Sequence, residues 1–251
     1  MQPAELRRYL DELLESPAFT DYAPNGLQVA GRRPVRRLVT GVTACRALLD
    51  EAVRRDADAV LVHHGYFWKN EDPRIDGMKA DRLRVLLGHD MSLFAYHLPL
   101  DAHPELGNNA ALARALGITV TGSFETGTHR PLGMLGELPE PEPLQAFATR
   151  LGVALGREPV TVAGGDHAVG RLAWCSGGAQ GFIDHVATLG VDLYCSGEIS
   201  EPTVHTAREC GLHYLAAGHH ATERGGVQAL GEHLAHRFGL EHTFVDINSP
   251  A

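Results

Sequence analysis

The chain has 251 residues, enough for one large domain or for two domains of about a hundred residues each. Apolar residues make up 44% and charged residues 21%, as in a soluble globular protein, and no apolar run approaches the ~18 residues of a membrane span. The formal net charge is −9 and no basic block is present, which argues against a nucleic-acid-binding surface.

The N-terminal residues and the cysteines both indicate in which cellular compartment the protein is expected. The first eight residues lack an apolar signal core and are typical of the first turn of a helix. Cys45, Cys175, Cys195 and Cys210 form no C-x-x-C pair, so neither a zinc ribbon nor a redox motif is predicted. We expect free thiols and a cytoplasmic protein.

Helices and strands alternate along the predicted chain. In order, the sequence predicts a helix over 3–15, a loop over 21–29, a strand over 37–42, a helix over 46–55, a strand over 58–62, a loop over 66–77, a helix over 81–87, a strand over 92–96, a helix over 108–116, an antiparallel ribbon over 118–138 and a closing strand over 243–247. This alternation predicts an α/β fold with a largely parallel sheet covered on both faces.

The second half of the chain repeats the plan of the first. Offsets of 134 and then 118 residues pair Arg37 with Arg171, Asp58 with Asp192, His63-His64 with Gly197-Glu198, Tyr96 with Tyr214 and Asp101 with His219. The identities are few, but they keep their order and fall on the same predicted element types. We therefore expect an internal duplication, with residues 1–125 as the first repeat and 126–251 as the second, or a discontinuous boundary in which the C-terminal segment packs on the first half.

Two adjacent histidines follow the most apolar predicted strand. Residues 58–62 form a buried strand, and His63 and His64 stand at its end, where sites are usually built in α/β sheets. Neighbouring side chains of a strand point to opposite faces, so both rings reach one point only if the chain bends, which Gly65 permits. The alternative is a pair of histidines that are simply hydrogen-bonded at the strand end.

Further metal-ligand types lie at the other predicted strand ends. Asp101 follows the strand that ends near His97, and His219 and Glu223 are spaced to face the same way on one helical turn. With His63 and His64 these residues make three imidazoles and two carboxylates. That set is too large for one open zinc site and suits two ions bridged by a carboxylate. Nitrogen and oxygen donors without thiolate suit Zn²⁺, Mn²⁺, Fe²⁺, Co²⁺ or Ni²⁺, and the sequence does not choose among them.

His97 and Glu198 are candidates for orienting the ligand rings or for transferring protons. Each has a structural alternative: His97 caps the turn before Pro99, and Glu198 pairs with a cation near its strand end. A pair of ions of this kind commonly serves hydrolysis.

Four motifs resemble, in order, those of the NIF-three-like dinuclear metal centre proteins, also called GTP cyclohydrolase I type 2 homologs. The motifs are Asn25-Gly26-Leu27-Gln28, Val62-His63-His64-Gly65-Tyr66-Phe67-Trp68-Lys69, Tyr96-His97-Leu98-Pro99-Leu100-Asp101-Ala102-His103 and Gly218-His219-His220-Ala221-Thr222-Glu223. The resemblance spans almost the whole chain. It implies a duplicated α/β fold of two similar halves with mixed sheets flanked by helices, a metal site in the cleft between the halves, and a toroidal homohexamer.

The resemblance also implies a role for each matched residue. His63, His64, Asp101, His219 and Glu223 would be the ligands, and His97 matches a family histidine beside the site. Glu223 would bridge the ions; His64 and Asp101 would favour one ion, and His63 and His219 the other. One departure is Ala23-Pro24, where many members have a tryptophan and an acid, which affects packing near the site and not the ligands.

Two functions of different classes are compatible with these ligands. The first is a two-metal hydrolase that acts on a nucleotide-like or phosphorylated small molecule, with His97 or Glu198 transferring protons. The second is a metal chaperone or regulatory metal-binding module without turnover. No motif supplies the base and phosphate contacts that opening a guanine ring requires, and the loop cations Lys69, Arg74, Lys79 and Arg130 are each candidates for phosphate or for solvent. We expect a small-molecule substrate bearing phosphate, and neither a membrane nor a nucleic acid as partner.

Overall fold

The computed structural model describes all 251 residues. Its strands are β1 (Gly26–Val29), β2 (Arg37–Thr43), β3 (Ala59–His64), β4 (Ser92–Ala95), β5 (Thr119–Phe124), β6 (Gly133–Glu142), β7 (Val160–Val162), β8 (Val169–Cys175), β9 (Leu193–Ser196), β10 (His213–Ala216) and β11 (Glu241–Phe244). Its α-helices are α1 (Pro3–Leu13), α2 (Arg46–Arg54), α3 (Gly77–Gly88), α4 (Leu98–Ala102), α5 (Asn108–Leu116), α6 (Leu144–Leu155), α7 (Ile183–Val186), α8 (Glu201–Glu209), α9 (His219–Thr222) and α10 (Arg224–Phe238).

The chain divides into two compact units that are each discontinuous in sequence. The first unit is Met1–Gly107 with Gly226–Asn248, and the second is Asn108–Gly225 with Ser249–Ala251. Helix α5 therefore belongs to the second unit although it follows the strands of the first. Most of α10 belongs to the first unit although it follows the strands of the second.

The sheet of the first unit has the strand order β1-β4-β3-β2-β11. All neighbouring strands are parallel except β1, which pairs antiparallel with β4. The sheet is thus mixed and not wholly parallel. Residues 21–29 were expected to be a loop, but Gly26–Val29 forms this edge strand. The prediction was wrong because the strand is short and glycine and glutamine weaken its apolar pattern.

The sheet of the second unit contains the same arrangement. Its order is β5-β6-β8-β9-β10-β7, with β8, β9 and β10 parallel and β7 antiparallel to β10 at one edge. The four strands β7, β10, β9 and β8 thus repeat β1, β4, β3 and β2. The predicted ribbon over 118–138 is the antiparallel pair β5 and β6, which extends the sheet on the side of β8.

One aspartate in each unit makes the same backbone contacts, as the 134-residue offset predicts. One carboxylate oxygen, Oδ2, of Asp58 and of Asp192 accepts two consecutive backbone N–H groups at the start of the neighbouring strand. The donors are Arg36 (2.9 Å) and Arg37 (2.8 Å) for Asp58, and Gly170 (2.9 Å) and Arg171 (2.7 Å) for Asp192. Shared strand order and shared contacts support the internal duplication.

Apolar residues cover both faces of the first sheet. Along β3, Val60 and Val62 face a core completed by α2 and α3, while Ala59 and Leu61 face a core completed by α1 and α10. This alternation is why residues 59–62 are apolar without a break: the strand is buried on both faces. The second unit packs α5 and α6 on its sheet around Phe147, among other buried residues.

Several boundaries differ from those predicted. Strand β3 runs through His64 and does not stop before the histidines, α3 begins at Gly77 and not at residue 81, and the closing strand is Glu241–Phe244. No helix combines the length and the apolar character needed to cross a bilayer. The four cysteines are free thiols.

Candidate metal centre

His63 and His64 are the last two residues of β3, and their ring centroids lie 4.7 Å apart. The expectation that both rings can approach one another is met. Gly65 does not have a positive φ, so a bend at this position does not use the left-handed conformation that glycine adopts most readily. A Cβ atom at position 65 would lie 2.2 Å from Oε1 of Gln28 and 2.6 Å from Cβ of Ala95. The glycine is required because β1 and β4 pass so close to the strand end.

Both imidazoles are held at Nδ1. The Nδ1 of His63 donates to the backbone carbonyl of Tyr96 at 3.0 Å, and the Nδ1 of His64 shares a hydrogen bond of 3.2 Å with Oγ1 of Thr43. A carbonyl just after β4 and a hydroxyl at the end of β2 thus fix the two rings. Nε2 is then the nitrogen of each ring that is placed to bind an ion.

Asp101 lies on α4, directly after β4, and its carboxylate is buried. Its Oδ2 is 3.5 Å from Nε2 of His63. A buried carboxylate is costly unless a cation or a hydrogen-bond donor compensates its charge, so a divalent ion beside this pair would be favourable.

His97 stands between these residues and an aspartate that the sequence reasoning missed. Its Nδ1 donates to Oδ1 of Asp21 at 2.7 Å, and one ring nitrogen each of His63, His64 and His97 lies within 4.8 Å of the others. His97 is the N-terminal cap residue of α4, but its side chain does not cap the helix, so that structural alternative does not describe its contacts.

The second carboxylate oxygen of Asp21 also accepts hydrogen bonds. Its Oδ2 accepts hydrogen bonds from the backbone N–H of Leu98 at 3.0 Å and from the side-chain amide of Asn25 at 2.9 Å. Burial raises the pKa of Asp21, but the hydrogen bond and charge of His97, together with the other donors, lower it further, so the net shift is downward. Asp21 is thus an ionised carboxylate that fixes the ring of His97.

In the second unit, His219 begins α9 and Glu223 follows its last residue. The Nε2 of His219 lies 3.2 Å from Oε1 of Glu223, as the spacing on one helical turn predicts. The Nδ1 of His219 donates to Oε1 of Glu198 at 2.7 Å. Glu198 therefore contacts the ring of His219, a contact that both the orienting role and the alternative of pairing with a cation near the strand end allow.

The two carboxylates set the charge of His219. Burial lowers the pKa of its ring, but the hydrogen bonds and charges of Glu223 and Glu198 outweigh that effect and raise the pKa to about 9. Glu223 is only 2% exposed. A cation at Nε2 would compensate the buried carboxylate in place of the proton.

A glycine gives Glu223 its space. Gly177 has φ +66°, and a Cβ atom there would lie 2.3 Å from Oε1 of Glu223 and 3.2 Å from Nε2 of His219. The backbone at Gly177 thus passes so close to the carboxylate that a side chain would not fit. Gln180, which the sequence reasoning also missed, donates its side-chain amide to Oε2 of Glu198 at 3.1 Å.

The residues present fit divalent metal ions. In each unit an imidazole Nε2 faces a buried carboxylate while its Nδ1 is held by another group, which is the usual arrangement of histidines that bind metals. The donors are nitrogen and oxygen without thiolate, which suits the five first-row ions named above and does not discriminate among them.

Comparison with known proteins agrees with this description. A curated protein from Pseudomonas aeruginosa, named GTP cyclohydrolase 1 type 2 homolog, is 58% identical over 241 residues, which cover 96% of this chain and 95% of that protein. A solved structure described as protein ybgI, of unknown function, is 56% identical and superposes with a TM-score of 0.96 over 100% of both chains. The crystal structure of TTHA1606 from Thermus thermophilus is 38% identical, with a TM-score of 0.90 over 100% of both chains.

The family model described as Duf34/NIF3 (NGG1p interacting factor 3) matches residues 1–250. Fold, motifs and relatives therefore agree, and the chain belongs to the Duf34/NIF3 family.

Proposed function

We propose that this chain is a metal-dependent hydrolase that holds two divalent ions and acts on a nucleotide-like or phosphorylated small molecule. The observation that carries the proposal is the common arrangement of the imidazoles, each held at Nδ1 by a neighbouring group. This fixes the rings before any ion binds, which is what a metal site of defined geometry needs. The proposed ligands are His63, His64, Asp101, His219 and Glu223.

The choice of ligands follows the resemblance: His63, His64 and Asp101 of the first unit and His219 and Glu223 of the second would hold the ions. Within each unit, the contacts of an imidazole with a buried carboxylate, 3.5 Å for His63 with Asp101 and 3.2 Å for His219 with Glu223, support the choice of donors.

Divalent ions, when bound, supply Lewis acidity and lower the pKa of water. The chain's own part is to place and move protons. Because Asp21 fixes Nδ1 of His97 as a donor, Nε2 of that ring is the atom that accepts a proton and passes it to a leaving group. Glu198 holds His219 in the orientation that ligand binding needs.

The substrate class rests on the relatives and on Lys69, an exposed cation of the loop after β3. The name of the Pseudomonas aeruginosa relative refers to a nucleotide-processing activity, and this supports a nucleotide-like substrate here. A homohexamer and a cytoplasmic location are parts of the same proposal. The free thiols support a reducing compartment.

The test is turnover by the protein reconstituted with each of the five candidate ions, using a panel of nucleotides and phosphomonoesters. Hydrolysis of one substrate class, with His97→Gln lowering kcat by about 10²- to 10⁴-fold at unchanged metal content, is expected. The matched control is His89→Gln, because His89 is an exposed histidine of the same unit and should leave kcat unchanged. Metal binding without turnover of any substrate, with fast transfer of the ions to an acceptor protein, would instead assign the chain to the metal-chaperone class.

A further inference from the structure

Aromatic rings stand beside the imidazoles of the first unit and are not used by the proposed chemistry. The indole of Trp68 lies 5.8 Å from the ring of His64 and 5.2 Å, edge to face, from that of His97. Tyr22 approaches His97 from another direction, with centroids 6.2 Å apart, and is 63% exposed. Trp68 is partly exposed, so both rings offer surface to a ligand beside the imidazoles.

The loop that carries Trp68 is held in an unfavourable backbone conformation. Phe67 has φ 65°, a region that bulky residues rarely adopt, and Asn70 has φ 68°, which asparagine tolerates better than most residues. Such strain persists where surrounding contacts enforce it, and it is concentrated at functional sites. Trp68 and Lys69 lie between these two residues.

The enforcing contacts close a turn around Trp68. The backbone N–H of Trp68 donates to Oε2 of Glu71 at 3.0 Å, and the N–H of Glu71 donates back to the carbonyl of Trp68 at 2.9 Å. Lys79 pairs with the other oxygen of Glu71 at 2.9 Å. The N–H of Lys69 donates to the carbonyl of Tyr22, which links the segments that carry the two rings. The position of Trp68 is therefore built into the fold.

Of the three cations on and beside this loop, one lies outside ion pairs and is available to a ligand. Arg74 pairs with Asp72, and Lys79 is engaged by Glu71, so neither is available to a ligand without breaking an ion pair. Lys69, the residue after Trp68, is exposed and makes no ion pair in the structure. An aromatic face followed by an ammonium group suits a molecule that joins a planar ring to an anion.

We propose that Trp68 and Tyr22 form a stacking subsite for the planar heteroaromatic base of a nucleotide, with Lys69 contacting its phosphate. Binding at this subsite does not require the proposed function; only the hydrolysis that would follow binding rests on it. It narrows the substrate class from phosphorylated small molecules in general to nucleotides, because a phosphoester without a ring would leave the aromatic surface unused.

The chain offers a clean optical test. Its second tryptophan, Trp174, is buried and donates its indole N–H to the carbonyl of Asn109, so the full-length variant Trp174→Phe reports on Trp68 alone. Guanosine 5′-monophosphate and uridine 5′-monophosphate are titrated against this variant, with ribose 5-phosphate as the probe that lacks a base and guanosine as the probe that lacks the phosphate. The titrations use the protein as purified and again after chelation.

Saturable quenching of Trp68 by one or both nucleotides and none by ribose 5-phosphate is expected. Calorimetry should show nucleotide affinity reduced about 5- to 100-fold in Trp68→Leu, with metal content unchanged. Lys69→Gln should weaken binding of the nucleotides and not of guanosine. Ile75→Ala, an exposed apolar residue of the same loop, is the matched control and should bind as the wild type does.

Absence of quenching by either nucleotide, or equal quenching by ribose 5-phosphate, would overturn the inference. So would nucleotide affinity in Trp68→Leu equal to that of the wild type. If Trp68→Leu fails to fold, the Trp174→Phe titration still decides, because it leaves Trp68 in place. The fluorescence titration and the calorimetry both measure equilibrium binding and not turnover. Nucleotide binding without turnover would therefore contradict the proposed hydrolase and leave the proposed stacking subsite standing.

Discussion

Glu198 accepts the Nδ1 hydrogen of His219 at 2.7 Å, while Nε2 of the same ring lies 3.2 Å from Glu223. The ring is thus fixed between one half-exposed and one buried carboxylate, and only the buried one is a proposed ligand. The first unit fixes His97 in the same way through Asp21. Glu198 and Asp21 thus orient histidine rings, whereas the proposed metal ligands are other residues.

Glu198→Gln should weaken binding of the ion that His219 favours by about 10- to 100-fold. In the amide one of the two oxygens becomes an NH2 group, so a donor would face the N–H of either His219 or Gln180, and the neutral amide no longer makes the ring more basic. Affinity is measured by calorimetric titration of the metal-free protein. Glu209→Gln, on the exposed end of α8, serves as control. Equal affinities in Glu198→Gln and in this control would show that Glu198 does not orient the ring.

Gly177→Ala should lower metal affinity as well as stability. The left-handed φ of this residue costs about 1–2 kcal/mol for a residue with a side chain, and the new methyl group would displace the carboxylate of Glu223. Gly190→Ala separates the two effects, because Gly190 has the same φ of +66° but no neighbour closer than 3.9 Å. We expect both variants to lose stability in chemical denaturation and only Gly177→Ala to lose metal. Loss of metal from both variants would refute the steric explanation.

Asp58→Asn should lower the free energy of unfolding by about 2–3 kcal/mol. The carboxylate is buried, accepts two backbone N–H groups and pairs with Arg33 at 2.5 Å, and an amide in its place would turn a donor toward the guanidinium. Denaturant titration measures the change. Asp56→Asn removes an exposed partner of the same arginine and should cost much less. A loss in Asp58→Asn no larger than in Asp56→Asn would contradict the account of this contact.

Stability should fall as the pH drops below about 6.5, in part through His242. Burial lowers the pKa of His242 below its usual 6.5, although the charge of Glu232 opposes the shift. Below pH 6.5 the unfolded chain takes up this proton more readily than the folded chain does, so protonation favours unfolding. Above that pH the imidazole is neutral in both states and contributes no pH dependence.

His242→Gln should therefore make the decrease in unfolding free energy between about pH 7 and pH 5 shallower. His236→Gln, at an exposed position of α10, should leave that decrease as it is in the wild type. The measurement is denaturant titration at several pH values. A decrease in His242→Gln as steep as in the wild type would rule out this residue as a source of the acid sensitivity.

The helices and parallel strands that carry the site could be predicted because their patterns are local. Residues 108–116 form α5 with the predicted bounds, and the apolar run before His63 is β3. The membership of α5 in the second unit was not predicted, because an apolar helix face does not by itself indicate which core it joins, whereas a C-terminal segment packed on the first half was one of the two expected boundaries. Edge strand β1 was missed because its four residues carry too little pattern.

The candidate ligands were predictable from residue type at strand ends, but the groups that hold them were not. The carbonyl of Tyr96 has no sequence signature, since every residue has one. Asp21 lies 76 residues before His97, and no spacing rule connects them. The need for glycine at position 65 could not be predicted either. It depends on Gln28, whose side chain comes close to Gly65 only when β1 pairs with β4.

The metal content of each chain tests the central claim most directly. The full-length protein is purified without added metal, chelated, reconstituted and analysed by mass spectrometry of the elements, beside Glu223→Gln and His64→Ala. The account predicts about two divalent ions per wild-type chain and loss of at least one ion in each variant. Fewer than one ion per wild-type chain after reconstitution, or full retention of both ions in both variants, would contradict it.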